Sequence, residues 1–171
     1  MSQSASSATP ELLAGYPVGL VEPVLHLLAD GRLGEELQRR YPHRHAVRSD
    51  RVLYDYVLTI KNECLRNTPP LSKVVYDNSL QLVRQALGTN TRVSRVQGAK
   101  LKAKNEIRIA SIFREAPEAF LRMIVVHELA HLRARDHGKE FYQLCRHMEP
   151  AYAQLEFDLR VWLVWRDAAA M

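Results

Sequence analysis

The feature that most restricts what this chain can become is an apolar run, Phe120, Leu121, Met123, Ile124, Val125 and Val126, leading straight into His127-Glu128-Leu129-Ala130-His131. A segment apolar on all sides belongs at the centre of a fold as a buried helix. Residues four apart on a helix share a face, with Cβ atoms about 5–6 Å from one another. The imidazoles of His127 and His131 can therefore converge on one ion. Glu128, one position on from the first histidine, is better placed to hold a water on that ion than to bind it. That is the general-base position of the H-E-x-x-H pattern. Two histidines and a glutamate on such a helix are costly to desolvate unless something pairs with them, and a metal ion does so. The bland alternative is a pair of core histidines with Glu128 turned to solvent.

A catalytic zinc takes three protein ligands and keeps a fourth position for water. His137 is the leading third ligand, because the residues after His131 leave room for the helix to end and the chain to turn back. Glu140, Glu149 and Glu156 are the alternatives. The spacing matches the metzincin pattern, but Ala134 stands where that pattern needs glycine, so the metzincin turn is not expected. Tyr142, Arg146, His147 and Tyr152 lie downstream as candidates to stabilise a developing oxyanion.

Length and composition suit one compact globular domain. A chain of 171 residues buries roughly two thirds of its unfolded surface. No apolar run reaches the length of a membrane span, and the opening MSQSASSATP lacks the basic and apolar regions of a secretory signal. Cys64 and Cys145 form neither a disulfide framework nor a C-x-x-C pair; both read as core or surface thiols in a reduced, cytoplasmic setting. The net charge of +5 is mild, yet it is concentrated. Arg92, Arg95, Lys100, Lys102, Lys104 and Arg108 are interrupted only by the acid Glu106. This reads as a solvated hairpin face or as a strip that binds phosphate.

Along the chain, residues 1–10 are small and polar and are expected to be disordered. A helical part follows over 11–68, with helices over 20–28, 34–41 and from Ser49-Asp50 to about Arg66. Asn67-Thr68-Pro69-Pro70 breaks it. The catalytic part, 69–171, opens with a helix over 78–87 and then the β region. Arg92–Val96 is one strand; Lys100–Ala103 and Glu106–Ile109 alternate polar with apolar and form an antiparallel hairpin through Lys104-Asn105. Pro117-Glu118 opens the metal helix. Helices over 140–148 and 155–165 complete the chain, with Phe141, Leu144, Cys145, Leu159, Trp162 and Leu163 facing the core. His43 and His45 read as surface residues in a turn.

The stretch from Arg92 through HELAHLRARDHGKEFYQLCRHMEPAY resembles the YgjP-like metallopeptidase family, whose broader relatives include Wss1-like and SprT-like zinc metalloproteases. The likeness extends from about Leu20 to Trp165 and includes YPHRH, VLYDYV and RNTPPLSKVVYDN. It implies an α+β, zincin-like single domain: a small antiparallel sheet packed on the central HExxH helix, with further N- and C-terminal helices. It implies Zn2+ on His127, His131 and His137, with Glu128 as the catalytic residue. Many relatives carry R-W-G-S-C where this chain has Arg95-Val96-Gln97-Gly98-Ala99.

The resemblance leaves three functions in view. The first is peptide-bond hydrolysis of a peptide or protein substrate by zinc-activated water. The second is a nucleotide pyrophosphatase acting on UTP, an activity attached to YgjP-type proteins; Lys100, Lys102, Lys104 and Arg108 would then hold phosphates, with Tyr142 a further substrate contact. The third is a protein-processing module associated with DNA, as for the SprT-like and Wss1-like relatives.

Overall fold

A computed structural model of the chain describes residues 9–79, 83, 86–87 and 105–171. Among these residues there are six α-helices, two strands and two short 3-10 turns. The helices are α1 (Val18–Ala29), α2 (Leu33–Arg40), α3 (Asp50–Cys64), α4 (Glu118–Ala130), α5 (Lys139–Met148) and α6 (Tyr152–Ala169); the strands are β1 (Lys73–Asp77) and β2 (Glu106–Ala110). The chain divides into two compact units. One comprises residues up to Arg40 together with Phe157–Met171, the other Tyr41–Glu156.

In the first unit, Arg40 reaches the fully buried carboxylate of Asp158 at 3.1 Å, and Arg160 donates to the Leu12 carbonyl at 3.2 Å. Gly34 on α2 lies under the indole of Trp165, where a Cβ would meet the ring at 2.8–3.0 Å. A larger residue would have to displace a rigid bicyclic side chain.

The second unit is built on α4. Phe120, Leu121, Met123, Val125, Val126 and Leu129 have no exposed surface, and burying each such side chain stabilises the fold by about 1.5–3 kcal/mol. The helix is hydrophobic all round because α3, α5 and β2 all pack against it. Ser49 caps α3 as its side chain accepts from the Val52 amide at 3.2 Å, which satisfies one of the free donors of the first turn. Pro117 precedes α4 with extended ψ, where a missing N–H costs nothing.

The expected antiparallel sheet is corrected by the strand pairing among the described residues. Glu106–Ala110 is a strand as expected, but it runs parallel to Lys73–Asp77, with Val74 opposite Ile107 and Tyr76 opposite Ile109. The reason is burial: Val74, Tyr76, Ile107 and Ile109 are all buried, and this register puts them in the same core. β1 was passed over in the sequence because the KVVYD run is short and follows a double proline. Tyr76 fixes it in place. Its amide donates to Asp50 at 2.9 Å, its hydroxyl donates to the Val47 carbonyl at 2.6 Å, and Arg114 lies over its ring at 4.6 Å. Asn105, entering β2, has φ of 63°, a left-handed conformation that asparagine tolerates. The expected strands over 92–96 and 100–103, and most of the expected helix over 78–87, lie outside the described residues.

Of the two histidines expected at the surface, His43 is exposed, whereas His45 differs from expectation. His45 is half-buried; its Nδ1 accepts from the Val47 amide at 3.0 Å, so its Nε2 carries the proton and donates to the Phe113 carbonyl at 2.8 Å. Together with the Glu118 amide donating to the His43 carbonyl at 3.0 Å, this ties the YPHRH stretch to the start of α4.

Candidate metal centre

The last turn of α4 supplies His127 and, at its C-terminal boundary, His131. The chain then winds down through consecutive turns: the Leu132 amide donates to Leu129, and the Arg133 and Ala134 amides donate to Ala130, at 3.0–3.1 Å. His137 sits just before α5 begins. The result is a cluster in which one ring nitrogen from each of His127, His131 and His137 lies within 4.8 Å of the others. The Nε2 atoms of His127 and His131 are 3.2 Å apart, and those of His131 and His137 are 2.9 Å apart. Nitrogens bound at 2.0–2.1 Å to one tetrahedral ion would be about 3.3 Å from each other.

Protonation follows from the outer nitrogens. His131 Nδ1 lies 2.9 Å from the Ala134 carbonyl, and a carbonyl only accepts, so Nδ1 carries the proton. In the neutral ring Nε2 is then a bare lone pair, and it faces two other Nε2 atoms. Three imidazoles arranged this way are a donor set for a divalent transition ion. Ala134 is buried and contributes its carbonyl, without the glycine that a metzincin turn requires.

Phe141, fully buried on the first turn of α5, is the common floor of the cluster. Its ring centroid is 4.9 Å from that of His127, 4.6 Å from His131 and 4.8 Å from His137. Behind His127 stands Tyr152, 1% exposed, with its hydroxyl 2.8 Å from His127 Nδ1. The Tyr152 hydroxyl also bonds to the Cys145 thiol. Burial pushes the Cys145 thiol up to about 12 and pushes the Tyr152 hydroxyl far above its ordinary value, so both keep their protons at neutral pH. Arg122 steadies this side of the unit, donating to the Met148 carbonyl at 3.1 Å and pairing with Glu149 at 3.3 Å. A cation at the C-terminal end of a helix is favourable, and this one holds α5 against α4.

The remaining sequence candidates are distributed as follows. Glu128 is half-buried between two buried neighbours. Of the alternative third ligands, Glu140 is exposed and Glu149 is paired with Arg122; the cluster is completed by His137. Tyr142 is half-buried, its ring 6.2 Å from that of Tyr152, and Arg146 and His147 are exposed. Tyr152 is expected only as an oxyanion group, whereas its hydroxyl lies at Nδ1 of His127, away from the histidine cluster. Arg108 is paired with Asp77 at 3.0 Å and with the buried Glu106 at 2.7 Å. Lys100, Lys102 and Lys104 lie outside the described residues.

Among the described residues, no helix is long and apolar enough to cross a membrane. Residues 66–161 match the YgjP-like metallopeptidase domain family. The chain is 58% identical over 151 residues to the UTP pyrophosphatase of Escherichia coli strain K12, covering 88% of this chain and 90% of that protein. No solved structure matches the chain. A histidine triad formed by the end of α4 and the turns that follow it, a family match over more than half the chain and this degree of identity lead to one conclusion: the chain belongs to the YgjP-like family and is a hydrolase.

Proposed function

We propose that the protein hydrolyses nucleoside triphosphates, UTP foremost, to the monophosphate and pyrophosphate at a Zn2+ ion held by His127, His131 and His137. The observation that carries this reading is the 58% identity to a UTP pyrophosphatase across nearly the whole of both chains. The histidine cluster gives that reaction a place to occur. Bound there, zinc would acidify a water and polarise a P–O bond of the phosphoryl group under attack.

The chain's own residues do the rest. Glu128 accepts the proton of the attacking water, a contribution of about 10²–10⁴-fold in rate. As the new P–O bond forms at the α-phosphorus, the bond to the bridging oxygen breaks and pyrophosphate leaves with the electron pair. Lys100, Lys102 and Lys104 neutralise the triphosphate through charge-assisted hydrogen bonds. Arg108, already engaged with Asp77 and Glu106, orders the strand that follows them.

Peptide-bond hydrolysis at the same site is the second reading, favoured by the metallopeptidase description of the family. A side-by-side assay separates the two. Metal-loaded protein is offered a panel of nucleoside triphosphates and, separately, a denatured protein. Pyrophosphate release from UTP, weakened when Lys100, Lys102 and Lys104 are together replaced by Glu, supports the nucleotide reading. Cleavage of the denatured protein with UTP left intact refutes it.

A further inference from the structure

Tyr152 is placed where a general structural role does not require it. Its hydroxyl is fully buried and lies 2.8 Å from Nδ1 of His127, which is itself 2% exposed. The two rings are near-parallel, with an interplanar angle of 21°. The hydroxyl meets the ring at Nδ1, the atom that carries its proton or its lone pair. Nε2 of His127 faces Nε2 of His131 at 3.2 Å, which leaves Nδ1 to the tyrosine. A bare Nε2 requires the neutral ring to carry its proton on Nδ1, and the tyrosine oxygen then accepts it. The phenol's own proton is left for the Cys145 thiol, its other hydrogen-bond partner.

We infer that Tyr152 is a positioning residue that holds the His127 ring in the orientation and tautomer needed to bind metal, with Cys145 as the acceptor that sets the direction of the chain from Nδ1–H to Oη–H to Sγ. His131 has a simpler arrangement: its Nδ1 donates to the Ala134 carbonyl, which can act in only one direction. His127 faces a hydroxyl that can either donate or accept, so the third group decides. Partners of this kind are known to matter: removing one weakens metal binding by about 10–100-fold. The sequence hides this link, because Tyr152 is far from the histidine pattern. It reaches His127 only because α5 folds back and α6 begins beside α4.

The inference rests on the metal-site reading of the histidine triad, but not on the identity of the substrate. Its test therefore uses Zn2+ alone. Competition with a chromophoric chelator gives the Zn2+ affinity of wild type, Tyr152→Phe and Cys145→Ala, with thermal unfolding of the metal-free proteins as a check on folding. Tyr152→Phe is expected to bind Zn2+ about 10–100-fold more weakly while unfolding as a single transition. Cys145→Ala should fall between it and wild type. Long-range 1H–15N correlation of the imidazoles in the loaded wild-type protein supplies a readout that packing alone would not move: His127 is expected to show a protonated Nδ1 and a metal-bound Nε2. This spectrum decides the matter even if Tyr152→Phe does not fold. Zn2+ affinity unchanged in a folded Tyr152→Phe, or a metal-bound Nδ1 at His127, overturns the inference and leaves the function untouched. Wild type that binds no Zn2+ overturns both.

Discussion

At the scale of single residues, the site separates chemistry from support. His127, His131 and His137 each bring one ring nitrogen to a common point, and the Phe141 ring packs against all three rings. Glu128 stands apart from that cluster as the half-buried acid on the same helix. Substitutions at the two kinds of position should therefore fail differently. Glu128→Gln is expected to keep bound metal and thermal stability while hydrolysis falls by about 10²–10⁴-fold. His131→Ala is expected to lose the metal itself. Elemental analysis of both purified variants beside their rates checks this, and a Glu128→Gln protein with wild-type turnover would remove the glutamate from the mechanism. Two members of the histidine cluster, His127 and His131, were legible because they stand four residues apart on one helix. Tyr152 was not: no local pattern links it to His127, although a tyrosine soon after Pro150 at a helix start needs a partner for its hydroxyl if buried.

At the scale of elements, the parallel pairing of β1 and β2 is held at its edge by charge. Asp77 accepts from the Ser79 amide at 2.8 Å and from Arg108 at 3.0 Å. The Ser79 amide first, and then Arg108, hold its carboxyl below the ordinary value of 3.8. A carboxyl depressed in the folded state stabilises the fold above its unfolded value and loses that contribution as pH falls through the folded one. Asp77→Asn should thus unfold more easily than wild type at pH 7, by about 0.2–1 kcal/mol, and the gap should close as the pH drops below 3.8. Urea unfolding at the two pH values measures it; an equal gap at both would show that the ionised carboxylate is not the cause. The helices were readable to within a few residues because caps and breaks are local: Ser49, Pro117 and Pro150 mark their own positions. The strand pairing was not, since β1 and β2 are brought together by a shared core. A hairpin read from alternation and a turn has no access to that contact.

At the scale of the whole chain, the same three-histidine arrangement can serve a carbonyl or a phosphorus centre, because an activated water does not by itself select its electrophile. The choice belongs to the surroundings, and the similarity to a UTP pyrophosphatase across 88% of the chain favours a triphosphate. The central claim is that one metal ion on this triad drives hydrolysis of UTP. It is tested most directly by titrating Zn2+ into metal-free protein while recording bound metal and pyrophosphate release from UTP together. Both are expected to rise in parallel and saturate at a single ion per chain, with neither signal in His131→Ala. Full release of pyrophosphate from UTP by metal-free protein, or by His131→Ala, would contradict the account.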